Sequence, residues 1–401
     1  MDNEVPILGR VPPFEEIYGE GVYVSPRISF VSRGWARGDR SYADMLSGRF
    51  ATAPGDAPRL VAAAAVTPAV ARWFRLAGLP LREDCDQFAD EAQHEMHLRS
   101  AIGRGWRIAS QFPIYEDHWA APHALNPADL HCRLGDKRSI SELVPEAFRP
   151  HRSVVEGPDF VAGKVQPPIP CALKVSSRFS ATGGHGVCIC LTPDEVDAAR
   201  LEFKTAERVV IEEHLPFVRT FCFHGAMMGG GRAALLGVTE QIIVNRSRYS
   251  GGWHGPGVDP SAEAWRAARE VMRRVAATGF RGIIGLDLGV LPDGSVRAFD
   301  VNPRVNASTS GLWLQSFRPD LNTRHGRIQA WRSSLSWEAV GAIIEPEIKA
   351  GRWMPLSVRD PALNIGQGPG PMMAGVALGA TREEALAVGA ELRERLSADI
   401  P

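Results

Sequence analysis

Residues 282–304 read GIIGLDLGVLPDGSVRAFDVNPR, two alternating apolar runs on either side of Asp293-Gly294, a dipeptide that signals a β-hairpin in that setting. With an even loop centred on those two residues, Asp287 falls directly opposite Asp300, their Cβ atoms about 5 Å apart. Side chains alternate along a strand, so Asn302 shares the face of Asp300. Like charges opposed across a sheet destabilise it unless compensated, and a hard divalent cation with oxygen ligands is the natural compensation. Mg²⁺ is the expected ion, with Mn²⁺ as the alternative, and Asp287, Asp300 and Asn302 are the candidate ligands. Two other outcomes stay open on the hairpin alone. One aspartate is protonated or solvated at a sheet edge, or an odd loop led by Pro292 sends the two carboxylates to opposite faces.

Working outward, the chain reads as α/β. Leu60 to Val66 is expected as a buried strand, followed by a helix with Thr67 as N-cap, Pro68 at its first position and Gly78 after it. Val22 to Val31 is a second strand in this part. From about residue 126 the strands come closer together: Cys171 to Val175, Gly186 to Leu191, Arg208 to Ile211, Thr220 to Phe223 and Ala233 to Val244, a pattern of antiparallel sheet. Gly229-Gly230-Gly231 is a hairpin connection between two of them. A helix is expected from Ser261 to Thr278, with Ala264, Trp265, Ala268, Val271, Met272 and Val275 on its apolar face. A strand from Pro371 to Leu378 and a helix from Arg382 to Leu396 end the chain. The expected domains are 1–125, an N-terminal α/β unit, 126–312, the core, and 313–401, an extension packing on that core.

Composition narrows the function classes. The 401 residues carry 45 Lys plus Arg against 46 Asp plus Glu, and this balance, without like-charge blocks, argues against nucleic acid or a membrane surface as partner. The longest strongly apolar stretch is far below the roughly 18 residues that span a bilayer, and MDNEVPILGR does not read as a signal peptide. A soluble, cytoplasmic protein is expected. Gly and Pro together make about 17% of the chain, below the range of about 25–30% where low complexity takes over. Six cysteines without a C-x-x-C pair suit free thiols in a reducing compartment; Cys188 and Cys190 are expected in the core. No GxGxxG follows a strand, so a Rossmann-type dinucleotide site has no support. Only five basic residues are lysines, which makes each of them worth examining.

The hairpin resembles the C-terminal metal motif of the ATP-grasp family, an Asp on one strand and Glu-x-Asn-x-Arg on the next, read here as Asp287 and Asp300-Val301-Asn302-Pro303-Arg304. Upstream, PCALKVSSRFSATGGHGV looks like the family's nucleotide strand and flexible glycine loop. By that resemblance Lys174 reaches the phosphates or the adenine, and Gly183, Gly184, His185 and Gly186 fold over the triphosphate, glycines letting backbone N–H groups approach the oxygens. GDKRSISELVP is similar to the segment that places another nucleotide-contacting lysine, Lys137. VVIEEHL looks like the linker strand that lines the adenine pocket, with Glu212 as its acidic residue and Glu213 and Leu215 beside it. The implied fold is an ATP-grasp core of two subdomains gripping ATP, preceded by an α/β domain. Within the family the chain looks most like stand-alone peptide ligases of the pheganomycin type, acting in peptide or secondary-metabolite biosynthesis; D-alanine ligases and carrier-protein ligases share the same core.

The resemblance implies a ligase that joins a carboxylate, an amino acid or short peptide, to an amine. ATP converts the acid to an acyl phosphate, and Arg304 holds the carboxylate or the developing oxyanion. NRSRYSGGWHG (245–255), with Arg246, Arg248 and Tyr249, is a candidate segment to close over the substrate, an ordinary polar loop being the alternative. A carrier protein and a second copy of the chain are further partners left open. Two positions depart from the family pattern: Asp300 stands where Glu is commoner, and Arg219 stands where many members have a ribose-binding Glu. These departures keep alive a nucleotide-binding regulator or carrier-binding module with a decayed site; a kinase stopping at a phosphorylated product is a third class. His94 and His97, one helical turn apart, lack the HExxH spacing and are expected on a solvated helix face.

Overall fold

The protein is described by a computed structural model over residues 5–26, 40–178, 186–363 and 370–396. Its first part holds four short strands, β1 (Val22–Ser25), β2 (Leu60–Ala62), β3 (Asp86–Phe88) and β4 (Arg107–Ser110). β1 pairs with β4 and β2 with β3, both parallel, and a parallel bridge from Val24 to Arg59 links the pairs. The helix after β2 spans Pro68–Leu76, and the hydroxyl of its N-cap Thr67 accepts from Val70 N at 3.2 Å, the capping expected from Thr-Pro. β2 is shorter than expected because Ala63–Ala65 turn into a 3₁₀ segment. β1 ends at Ser25, and residues 27–31 of the expected strand lie outside the described residues.

Two antiparallel sheets follow. The smaller contains β5 (Arg152–Glu156), β6 (Cys171–Ser176), β7 (Val187–Cys190) and β8 (Arg208–Glu213), ordered β5-β8-β6-β7. The larger contains β9 (Arg219–Met228), β10 (Arg232–Val244), β11 (Arg248–His254), β12 (Gly282–Val290), β13 (Val296–Asn302), β14 (His325–Arg332), β15 (Trp353–Arg359) and β16 (Met372–Gly379). Its order is β13-β12-β9-β10-β11-β14-β16-β15, so the last three strands continue the sheet that begins with the hairpin. The helix Ala262–Ala277 buries Ala264, Ala268, Val271, Met272 and Val275 against Phe223, Ile284, Leu286 and Leu288, the 3.6-residue and two-residue periods meeting face to face. Gly225 is needed beneath it, because a Cβ there would lie 2.5 Å from Met272 Sδ.

The opposite face of the sheet, carrying Asp287, Cys222, His224 and Thr239, looks toward the helix Thr309–Phe317 and the N-terminal part. His224 lies between Thr309 Oγ1 at 3.1 Å and Thr239 Oγ1 at 3.2 Å. Trp313 of that helix meets Phe14 and Phe50 edge-on, at 5.8 and 6.5 Å between ring centroids. Aromatic pairs in this geometry hold beyond their area alone, so this cluster fixes the N-terminal part over the site face.

The decisive hairpin differs in detail from its expectation. Val290 pairs with Val296, so the loop Leu291–Ser295 has an odd length, not an even one. Asp293 Oδ1 accepts from Ser295 N at 2.9 Å and Ser295 Oγ at 2.7 Å, an Asx turn, and Gly294 takes φ 85. That loop alone would put Asp287 opposite Phe299. A bulge, with Phe299 as the extra residue, shifts the register so that Asp287 pairs with Asp300 and Gly285 with Asn302.

Other expectations need correction. His94 is buried at 1% exposure, its ring edge-on to Phe88 at 5.1 Å, because the helix Glu91–Gly103 packs it against β3. His97 Nδ1 lies 3.7 Å from Asp86 Oδ2. Cys190 is in the core directly opposite Cys171, whereas Cys188 is half-buried with its thiol 3.5 Å from Glu202 Oε2. All six cysteines are free, and no described helix is long and apolar enough to cross a membrane.

Candidate nucleotide and metal site

The centre of the site is the pair of carboxylates at the bulge. Asp287 Oδ1 accepts from Gln241 Nε2 at 2.9 Å and Oδ2 from Asn302 Nδ2 at 3.2 Å. Burial, then repulsion from Asp300, pushes the Asp287 carboxyl up to about 6. Asp300 goes the other way. Burial pushes it up, but Lys137, with Lys174 and Arg304 behind it, outweighs burial and holds it below the usual carboxylate range. Lys137 Nζ contacts both oxygens of Asp300, at 2.5 and 2.6 Å. Burial together with Asp287 raises the neighbouring Cys222 thiol well above its ordinary range, so it stays a protonated thiol.

Lys137 is delivered by local structure. Asp136 caps the 3₁₀ turn Lys137–Ser139, accepting from Arg138 N at 2.8 Å, and is braced by Ser176 Oγ at 2.8 Å. Lys174 comes from the middle of β6, where it donates to Phe299 O at 2.9 Å and meets Glu212 Oε2 at 2.6 Å. Arg152 reaches the other oxygen of Glu212 at 3.1 Å, and all three side chains are almost fully buried. Beside them Phe217 stacks on Phe299, 5.3 Å between centroids and 30° between planes, with Lys174 Nζ 5.6 Å from the Phe299 ring. This corner offers a flat apolar surface, an ammonium and a buried carboxylate within one small volume.

At the end of β13, Arg304 Nη2 donates to Asn302 Oδ1 at 2.6 Å, and His131 Nε2 donates to Pro303 O at 2.9 Å. Burial depresses His131 to about 4, so it is neutral and serves as a strut.

The structure thus gathers Lys137, Lys174, Glu212, Asp287, Asp300, Asn302 and Arg304. Gly186 adjoins them, buried at φ 72, its carbonyl accepting from Val175 N at 2.8 Å. Gly183, Gly184 and His185 lie outside the described residues. Glu213 is turned to the neighbouring strand, accepting from His151 N at 2.8 Å. Leu215 is half-buried, and its carbonyl accepts from Phe217 N at 2.9 Å. Arg246 is not brought to the carboxylates; it pairs with Glu195 at 2.7 Å, and Arg248 is exposed. Arg219 is engaged elsewhere, bonded to Glu240 at 2.9 and 3.2 Å and to Asp259 at 2.9 Å.

Reasoning from sequence missed Gln241, Cys222, Arg152, Phe217 and Phe299. Phe299 directly precedes Asp300, and only a bulge makes it a site residue. Arg152 and Gln241 come from other strands and carry no local signal.

The donor set suits a hard cation: two facing carboxylates, one with its charge resisted by the other, and an amide oxygen. No group of three or more His, Cys, Asp or Glu gathers among the described residues, so amide and phosphate oxygens would have to complete any coordination there.

Comparison with known proteins finds two family models. One, described as L-aspartate–L-methionine ligase, ATP grasp, matches residues 150–302; the other, the N-terminal domain of that ligase, matches residues 13–132. Solved structures share the fold at low identity. An N5-carboxyaminoimidazole ribonucleotide synthetase in complex with ADP matches with TM-score 0.58 and 12% identity, over 98% of each chain. The carboxyaminoimidazole ribonucleotide synthase of Aspergillus clavatus, complexed with ATP, matches with TM-score 0.57 and 12% identity, over 94% of this chain and 98% of its own. The L-amino acid ligase of Bacillus licheniformis matches with TM-score 0.54 and 12% identity, over 95% of this chain and 98% of its own.

Proposed function

Because the chain belongs to the ATP-grasp carboxylate–amine ligases, we propose that it joins L-aspartate, as the acid, to L-methionine, as the amine. The observation that carries the siting is the opposition of Asp287 and Asp300 across the bulged hairpin, with Lys137 on Asp300 and Lys174 beside it.

A carboxylate does not react with an amine at neutral pH because its oxygen leaves poorly. Transfer of the γ-phosphoryl group of ATP to that oxygen, with loss of ADP, makes an acyl phosphate. The amine nitrogen then forms its bond to the carbonyl carbon, the carbon–oxygen bond to phosphate breaks, and the nitrogen sheds a proton. Little covalent help is needed; positioning and charge neutralisation supply the rate.

This chain's residues divide that work. Phe217 and Phe299 offer the adenine a stacking surface, Leu215 a backbone edge nearby, and Glu212 holds Lys174 in place. Lys174 and Lys137 balance phosphate charge, for which Lys137 must leave Asp300. Gly183 and Gly184 lie in the segment assigned to the phosphates. Asp287, Asp300 and Asn302 would hold Mg²⁺, with Mn²⁺ as the alternative, and a cation there supplies neutralisation of phosphate oxygens. Arg304 stands beside Asn302 to hold the reacting carboxylate or its oxyanion. Arg246 ties its turn to the helix Pro193–Glu202, so we assign Arg246 and Arg248 to enclosing the site and not to the chemistry. Six free thiols agree with a reducing cytoplasm.

The test is ADP release from ATP and Mg²⁺ over a matrix of acids and amines, with mass spectrometry of the products. An aspartyl-methionine dipeptide formed only when both amino acids are present is the expected result. ADP without any amide would instead indicate a kinase, and ATP binding without turnover across the matrix a regulator.

A further inference from the structure

A second cluster adjoins the metal hairpin, assembled from the N-terminal part and β11. Arg49 is 3% exposed, donating from Nη1 to Asn306 O at 2.8 Å and from Nε to Leu46 O at 3.3 Å. Among the described residues no carboxylate pairs with it. The charged and titratable neighbours it feels are the phenols of Tyr42 and Tyr249 and the like charge of Arg304. The two guanidiniums are linked through one residue, since Asn306, whose carbonyl Arg49 holds, donates from Nδ2 to Arg304 O at 3.2 Å.

Tyr249 completes the cluster. A bulge between β10 and β11 brings it opposite Ile243, and its phenol lies back over Gly252, where a Cβ would stand 3.4 Å from the oxygen. That oxygen is buried with no acceptor for its proton, the Ser308 hydroxyl being the group that interacts with it. Its neighbourhood includes Cys222, Ser308, Arg327 and Asp287, and burial keeps it protonated. A buried cation without a carboxylate among the described residues thus stands beside a buried hydroxyl without an acceptor, and an anion would answer both. Guanidinium and phenol donors both suit a carboxylate.

We propose that Arg49 and Tyr249 form the subsite for the non-reacting carboxylate of an acidic amino acid, a specificity-determining pair that selects the acid substrate. The inference rests on the dipeptide-ligase reading above and names the residues that choose the acid. An acidic amino acid has two carboxylates. One sits with Arg304 on the phosphate side, and the other is received one residue-length away, on the far side of Asn306. An acid without the second carboxylate leaves Arg49 buried and unpaired, which is how a site built on polar groups rejects an analogue lacking them.

The test is calorimetric titration of L-aspartate, and separately L-asparagine, into protein saturated with Mg²⁺ and a non-hydrolysable ATP analogue. Wild type is expected to bind L-aspartate about tenfold or more tightly than L-asparagine, the scale of one charge-assisted contact. Arg49→Met should lose that preference. Tyr249→Phe, which removes one oxygen and keeps the ring, should weaken L-aspartate several-fold. Both should bind the nucleotide analogue as wild type does, which also verifies their fold, and Arg49→Lys, keeping the charge, should retain part of the preference. Equal binding of the two amino acids by wild type, no saturable binding of L-aspartate, or variants within twofold of wild type would each overturn the subsite. Selective aspartate binding with no amide formed from any amine would sink the ligase reading while supporting the subsite.

Discussion

The proposed nucleotide corner and the Arg49–Tyr249 corner lie along the same sheet face, yet their buried charges are answered in opposite ways. In the first, Asp300 is held by Lys137, and Glu212 by Lys174 and Arg152. In the second, a guanidinium has no carboxylate and a phenol no acceptor among the described residues. Buried charges are tolerated when paired and costly when not. The first corner is therefore self-neutralised and, on the proposed reading, gives up contacts to phosphates, whereas the second only gains contacts from a carboxylate. The proposed sites therefore predict an affinity for nucleotide reduced by the pairs that binding breaks, and a selectivity for the acid increased by donors that a carboxylate satisfies.

The largest expected effect would break the comparison at its centre. Asp300→Ala and Asp287→Ala should each lower ADP release by about a thousandfold or more, the scale of losing preorganised charge stabilisation, with circular dichroism unchanged; full activity in either variant would remove the metal assignment. Glu212→Ala leaves Lys174 and Arg152 buried without their anion, and a loss of about 3–5 kcal/mol in denaturant unfolding is expected. A loss below 1 kcal/mol would mean that water reaches this corner and that it is not self-neutralised.

A subtler experiment sharpens the contrast within the carboxylate pair. The Asp287 carboxyl rises from 3.8 to about 6 on folding, so the folded state binds its proton more tightly than the unfolded chain. Its contribution to stability is present below about pH 4 and is lost as pH rises through 6. Metal-free Asp287→Asn should lack that loss and melt about 2–4 °C higher than wild type at pH 7, Gln241 turning its amide so that its unpartnered Oε1 accepts. Equal melting profiles from pH 4 to 7 would show that the two aspartates do not repel. The smallest effect belongs to Arg246→Ala. Its bridge to Glu195 is half-exposed, and a stability change under about 1 kcal/mol is expected by urea titration.

Much of the nucleotide corner is legible in the residues themselves. Alternation places Asp300 and Asn302 on one face, Thr67-Pro68 begins its helix, and the helix Ala262–Ala277 lies where its apolar stripe predicts. The facing of Asp287 and Asp300 was expected for an incomplete reason. The even loop does not form, and an odd loop with a bulge arrives at the same pairing. Turn length and bulge position are decided by Asp293 capping its own turn and by Phe299 finding Phe217, which periodicity does not encode. His94 departs from its expectation because the flanking acidic residues point to solvent, while its packing partner is Phe88, on another element.

Taken alone, the sequence determined what depends on neighbours along the chain: strand and helix positions, the face each side chain takes, and the lysines and aspartates that invite phosphate and metal. Tertiary structure alone decided which charges are answered. Lys137 reaches Asp300 across 163 positions, and Arg49 reaches Asn306 across 257. Periodicity carries no information over such separations; whether a buried charge finds a counter-charge depends on how the sheets and the N-terminal part pack, since it is packing that removes the water which would otherwise screen it.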